Sequence, residues 1–340
     1  MSRPLAVYTD IVDTDPGPGI AMLRDAGFEV RVSESARPAD LVAAARDADA
    51  LLLGYAGVDR ALLGELRSLR LVATQSVGYE MVDVDACRER GIWVTNVPDA
   101  ATEEVATHAL AMTLALLRGL PLLARDVRSG RWDGTLHELR RPSEVTVGVV
   151  GLGRIGRRYV EYVRPIVGRV VGYDPFVRAM DGVQWLDLDE VMRVSDVVSL
   201  HLPLSEETRA LIDDRRLGLL RRGAMIINVA RAGLIDHDAL LDRLDAGHIS
   251  GAALDVLPEE PPRPDDRLVH HPSVLVTPHS AYLSAASSRD YVVQQARNVV
   301  EWYRRGSPES PVVQGVPRAA ALEAGSATRE SLSRSEHASP

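Results

Sequence analysis

The chain has 340 residues, 46% of them hydrophobic and 26% charged, the balance of a globular protein with room for two domain cores. Its formal net charge of −9 does not favour a phosphate-backbone partner, so no nucleic acid is expected. Cys87 is the only cysteine, which excludes an intrachain disulfide and a thiolate metal site; no metal is expected.

All 39 basic residues are arginine, so neither Schiff-base chemistry nor a lysine general base is available. No run of eighteen apolar residues occurs, and residues 1–10 lack the apolar core of a signal peptide. The expectation is a cytoplasmic protein without a membrane partner.

In chain order, residues 5–8, 28–32, 50–53, 71–73 and 92–94 read as strands. Residues 19–26, 39–48, 60–66 and 84–90 read as helices, two of them closed by Gly27 and Gly91. Residues 102–127 read as one long helix, apolar over much of its circumference, whose burial predicts a twofold homodimer. His108 on this helix reads as a buried, hydrogen-bonded histidine, and Trp132, His270 and His271 as structural. A second strand–helix rhythm begins at Thr146, with strands at 147–150, 170–173, 197–200, 224–228, 251–254 and 274–276. Residues 286–303 are helical again, and from Pro317 on the composition predicts a disordered tail.

The fold class is therefore α/β: two Rossmann- or flavodoxin-like domains, each a parallel sheet with helices on both faces, with a cleft between them. The expected division is 1–99 with 284–316, then 100–283, and 317–340 as tail. The chain would cross near Pro98 and Tyr282.

Residues 147–156 read Val-Gly-Val-Val-Gly151-Leu-Gly153-Arg-Ile-Gly156, a buried strand running into G-x-G-x-x-G. The first glycine permits the tight turn, the second lets backbone approach a pyrophosphate, and the third lets the helix pack on the strand. Eighteen residues past Gly156, Asp174 follows a second apolar run. A carboxylate there accepts from the ribose hydroxyls of NAD and repels the 2′-phosphate of NADP. Arg178 is placed to offset that repulsion, Pro175 fixes the turn, and the alternative for Asp174 is a cap on the next segment.

Three later strands end in polar residues: Asn228-Val-Ala-Arg231-Ala-Gly233, Leu254-Asp255-Val-Leu-Pro-Glu259-Glu260-Pro261, and Thr277-Pro278-His279-Ser-Ala-Tyr282. Carboxyl ends of parallel strands are where such sheets bind ligands. In this order the segments resemble those of the NAD-dependent D-2-hydroxyacid dehydrogenase family. The likeness continues through Ser199-Leu-His201-Leu-Pro203-Leu, the helix around His108, and Gly78-Tyr-Glu-Met-Val-Asp83, and covers about residues 5–315.

The resemblance implies catalysis by Arg231, Glu260 and His279. A guanidinium fork can hold a carboxylate and polarise the adjacent carbonyl, and a histidine can protonate the oxygen as hydride arrives. Glu260, chosen over Glu259 because it precedes proline, would orient the imidazole and favour its charged form. The alternatives are a surface arginine, a loop histidine, and a rigid proline-rich loop at 258–264.

For the cofactor, NAD, the resemblance implies Gly151, Gly153, Arg154, Ile155, Gly156, Asp174, Leu202, Pro203, Thr208, Val229, Ala230 and Asp255. For the substrate, a small 2-keto or (R)-2-hydroxy acid, it implies Tyr55, Val77, Gly78, Arg231 and Tyr282. His201 reads as structural or as a neighbour of the cofactor. Arg231-Ala232-Gly233 replaces the family's usual Arg-Gly. Tyr282 resembles the branch related to the C-terminal binding protein corepressors, and an aromatic there would narrow the pocket. A corepressor-like NAD sensor and a phosphite-type oxidiser are the rival readings; Glu260 argues against a formate enzyme.

Overall fold

The computed structural model describes residues 3–10, 14–33, 35–135, 139–177 and 179–317. Arg178 and the tail from residue 318 lie outside the described residues. The chain divides into two compact units, Met1–Ala100 together with the chain from Ser284 on, and Ala101–Leu283.

In the first unit, β1 (Leu5–Tyr8), β2 (Glu29–Val32), β3 (Ala50–Leu53), β4 (Leu71–Thr74) and β5 (Trp93–Thr95) alternate with α1 (Gly17–Asp25), α2 (Pro38–Ala45), α3 (Arg60–Glu65) and α4 (Val84–Glu89). Asp59 and Asp83 start α3 and α4 by accepting from the amides of Leu62 and Ala86. Gly27 and Gly91 take positive φ after α1 and α4. β1, β3 and β4 are buried throughout, as all-parallel pairing covered on both faces requires.

The second unit opens with a departure from the expected single helix at 102–127. It is two helices, α5 (Thr102–Leu117) and α6 (Leu120–Arg128), bent by 59°. Gly119 takes the left-handed conformation, φ 59°, and Pro121 follows in the first turn of α6, where its missing N–H costs nothing. Among the described residues no single helix is long and apolar enough to cross a membrane.

There follow β6 (Thr146–Val150), α7 (Arg154–Val163), β7 (Arg169–Tyr173), β8 (Gln184–Trp185), α8 (Leu188–Val194), β9 (Val197–Leu200), α9 (Asp214–Leu219), β10 (Ala224–Asn228), α10 (His237–Asp245), β11 (Ile249–Leu254), α11 (Arg267–His270) and β12 (Val274–Val276). The short edge strand β8 escaped the sequence reading, because two residues carry no periodicity. The sheet order is β12-β11-β10-β9-β6-β7-β8, every pair parallel, so the strand order reverses between β6 and β9. That reversal is the switch point at which doubly wound sheets bind nucleotides.

The last elements return to the first unit. Helix α12 (Ala285–Arg305) starts with a Ser284–Ser287 capping box and ends at Gly306, φ 85°. It buries Tyr291, Val292, Val299 and Trp302. Strand β13 (Pro311–Val313) pairs antiparallel with β5 and gives the order β13-β5-β4-β3-β1-β2. Without β13 this is the flavodoxin-like order.

Candidate active site

Strand register brings the expected residues of the second unit to one edge. Val150 stands opposite Leu200 and Tyr173, Asn228 opposite Leu200 and Leu254, and Leu254 opposite Val276. The residues following these strand ends are therefore level: Gly151, Asp174, His201, Val229, Asp255 and Thr277.

The glycine turn fits a dinucleotide. Gly151 has φ 95°, and a Cβ there would stand 2.6 Å from the His201 carbonyl oxygen. At Gly156 a Cβ would stand 2.0 Å from the Gly151 oxygen, so only glycine lets α7 sit this close. At Gly153 a Cβ would meet nothing within 4 Å: that turn faces open space. No side chain caps α7, unlike α8, α9 and α10, which Asp187, Asp213 and Asp236 cap. The amino end of α7, at Arg154 and Ile155, brings the positive end of the helix dipole to the glycine turn, which suits an anion.

Asp174 is more engaged than expected. One oxygen accepts from Leu152 N at 2.7 Å, the other from Phe176 N and Val177 N at 2.8 and 2.9 Å. The carboxylate fixes the turn after β7 against the glycine loop and holds the start of the next segment, while lone pairs on the first oxygen remain for a ribose. Leu202 is buried, and Thr208 closes the neighbouring loop by donating to Pro203 O at 2.8 Å. His201 bonds Ser199 through Nε2 at 2.9 Å, and burial beside Tyr159 pushes its pKa down to about 3. It is a neutral ring beside the glycine turn.

Arg231, Glu260 and His279 line a single cavity of about 470 Å³, a volume suited to a small ligand. Asn228, fully buried, sets the arginine by accepting from Ala230 N at 3.0 Å and donating to Arg231 O at 2.9 Å. The guanidinium donates to Ala230 O at 2.8 Å. His279 Nδ1 lies 2.7 Å from Glu260 Oε2, and Glu260 Oε1 accepts from Leu257 N at 2.8 Å. Glu259 instead faces Arg263 at 3.3 Å, on the surface.

Asp255, expected on the cofactor's side, is 1% exposed. Its carboxylate takes up Ser280 N and Ala281 N, both at 2.9 Å, and the Thr277 hydroxyl, so it anchors the His279 loop. His108 is half-buried rather than buried, because its face of α5 borders this loop; its Nε2 meets Thr277 Oγ1 at 3.0 Å. Tyr282 is half-buried and is not among the residues lining the cavity. Arg209 and His237 are, and neither stood out in the sequence; desolvation lowers the His237 pKa.

In the first unit, Ser76 Oγ donates to Gly78 O at 2.6 Å and Asn96 Nδ2 to Val77 O at 2.7 Å. Both carbonyls are thereby occupied, while among the described residues no partner of the Val77 and Gly78 amides is seen. Tyr55 is 59% exposed, its backbone N held by Asp10 at 2.7 Å.

Residues 110–281 match the NAD binding domain of the D-isomer specific 2-hydroxyacid dehydrogenases. The chain belongs to that family. It is 32% identical over 339 residues to the glyoxylate reductase of Thermofilum pendens, covering 95% of this chain and 98% of that one. It is 37% identical over 295 residues to the D-3-phosphoglycerate dehydrogenase of Mycobacterium tuberculosis, covering 85% of this chain. The chain spans 55% of that relative's length. The crystal structure of a D-lactate dehydrogenase from Aquifex aeolicus complexed with NAD and lactic acid superposes with a TM-score of 0.80 at 29% identity, covering 91% of this chain and 99% of that one.

Proposed function

We propose that the protein interconverts a small 2-keto acid and the (R)-2-hydroxy acid, with NAD(H) as the hydride carrier. The observation that carries this is the His279–Glu260 pair, at 2.7 Å, lining one cavity with Arg231. The family membership and the D-2-hydroxy acid enzymes among its relatives support it.

The glycine turn, the amino end of α7, Asp174, Leu202, Pro203, Thr208, Val229 and Ala230 would hold the dinucleotide, whose nicotinamide supplies or accepts the hydride. Arg231 presents a planar fork that holds the substrate carboxylate and polarises the neighbouring carbonyl. Negative charge grows on that oxygen as the carbon is reduced. His279 delivers a proton to it from Nε2, while Nδ1–H stays on Glu260, which orients the ring. Oxidation runs the same proton path backwards.

Asp174 favours NAD over NADP, since its charge opposes a 2′-phosphate. We infer a homodimer from Leu120, Val127 and Trp132, which are 57%, 52% and 89% exposed on α6 and the segment after it. Trp132, expected to be structural, is the most solvent-open of these. A cavity of about 520 Å³ beside them, lined by Leu116, Pro121 and Leu122 with Gly223 and Val274, gives an apolar partner somewhere to pack.

The test is NADH consumption with 2-keto acids of graded side-chain size, a phosphorylated one included. Turnover of at least one supports the assignment; tight NADH binding with no turnover of any would overturn it in favour of a nucleotide-sensing role.

A further inference from the structure

His279 sits in the left-handed backbone region, φ 49°, which residues with a Cβ avoid unless their surroundings enforce it. What enforces it here is Asp255. The Asp255 carbonyl accepts from His279 N at 2.8 Å, and its carboxylate accepts from Ser280 N and Ala281 N at 2.9 Å. The same carboxylate takes the Thr277 hydroxyl proton.

That last bond settles a direction. A threonine hydroxyl has one proton, and a carboxylate only accepts, so the proton of Thr277 points to Asp255. The 3.0 Å contact between Thr277 Oγ1 and His108 Nε2 must then be donated by the histidine. His108 lies 169 residues away in sequence, on α5, which packs against β10 and β11. It is the only member of the chain of bonds that does not belong to the β11–β12 edge. Its Nε2 stands 3.7 Å from Asp255 Oδ1, beyond hydrogen-bond reach, so the ring acts on the carboxylate through the hydroxyl.

We propose that His108 is a positioning residue for the proton donor: its Nε2–H fixes the Thr277 hydroxyl, which fixes the Asp255 carboxylate and, through the Ser280 and Ala281 amides, the backbone that aims His279 at Glu260. The proposal rests on His279 being the proton donor. Without the histidine the Thr277 oxygen loses its donor from α5, and the hydroxyl and the Asp255 carboxylate can shift together. The loop then samples backbone states in which Nδ1 no longer meets Glu260. Neither His108 nor Thr277 is among the residues assigned to cofactor or substrate, so the deficit is expected mainly in kcat.

The experiment compares His108→Leu, His108→Gln, Thr277→Val and His279→Ala with wild type in keto-acid reduction. His108→Leu should lose about tenfold or more in kcat, with KM for the keto acid and Kd for NADH within about twofold. His108→Gln should regain most of the loss, because an amide N–H supplies the missing donor. Thr277→Val breaks the same chain at its next link, so it should match His108→Leu, and the double variant should be no worse than either alone. It also carries the test if His108→Leu does not fold.

Wild-type kcat in His108→Leu, equal deficits in Leu and Gln, or additive losses in the double variant would each overturn the proposal. His279→Ala separates the two levels. If it retains full activity, the proton-donor assignment itself falls; if it is inactive while His108→Leu is unimpaired, only the role of His108 falls.

Discussion

His279 Nδ1 and Glu260 Oε2 stand 2.7 Å apart although 19 residues separate them in sequence. The glutamate that lies nearer the histidine in space is fixed from its other oxygen by Leu257 N, so it orients the ring and does not follow it. This makes Glu260, and not the adjacent Glu259, the residue that holds the imidazole.

Glu260→Gln keeps a hydrogen-bonding shape but removes the anion. The ring then loses its charge-assisted partner, so kcat for keto-acid reduction should fall by roughly tenfold or more. His279→Ala should lower it further, since no proton donor remains. Turnover of the three proteins decides it; wild-type kcat in Glu260→Gln makes the glutamate part of a rigid loop only.

Arg231→Lys retains a cation but cannot present two parallel donors. Turnover should fall by roughly a hundredfold, with NADH affinity unchanged by fluorescence titration. Near-native turnover would remove Arg231 from the reacting centre.

Asp174 is braced by three backbone amides, so its charge cannot swing away from a 2′-phosphate. Efficiency with NADH should exceed that with NADPH by about tenfold or more, the scale of one unfavourable charged contact. Equal kcat/KM for the two would show that the carboxylate does not face the ribose.

His201 predicts an acid sensitivity of folding. Burial holds it near 3, while in the unfolded chain it titrates near 6.5. Between those values the unfolded state binds one more proton, so the contribution is intact above about pH 6.5 and is lost as pH falls toward 3. The slope is at most about 1.4 kcal/mol per pH unit. His201→Asn abolishes that uptake, so its urea midpoint should decline less steeply from about pH 6 to about pH 4.5. Parallel slopes would place the sensitivity in other groups.

Sedimentation should find a homodimer at about micromolar concentration, and Leu120→Glu should shift it toward monomer by forcing a charge into the contact. A monomeric wild type would refute the interface.

The sequence made the parallel strands legible because a strand buried on both faces is a short block of valine, leucine and isoleucine, as in Leu51–Leu53 and Met225–Ile227. The polar residues just past such blocks, Asn228, Asp255 and Thr277, announced the site's edge for the same reason. Other features had no local signature. The break at Gly119 hides inside an apolar run because one glycine is tolerated in many helices. The bonds from Asp255 to Ser280 and Ala281 and from His108 to Thr277 join residues far apart in the chain, which spacing cannot reveal. Arg209 and His237 reach the cavity from a loop and a helix start whose sequences read as ordinary surface.

Strand β13 runs against the direction of every other strand in its sheet and covers the outer side of β5. Just beyond it, Val316 N bonds Gly91 O at 2.8 Å, and Trp93 Nε1 donates to Val316 O at 3.1 Å. The unpaired N–H and C=O groups of β5 are thereby kept from neighbouring molecules, the role edge strands otherwise leave to charge or proline. A chain ending after residue 317 would keep that seal, whereas one ending at 310 would present a bare, hydrogen-bonding rim bordered by Trp93 and Val94. Recombinant boundaries set between those two positions thus separate a well-behaved protein from one prone to stack edge to edge.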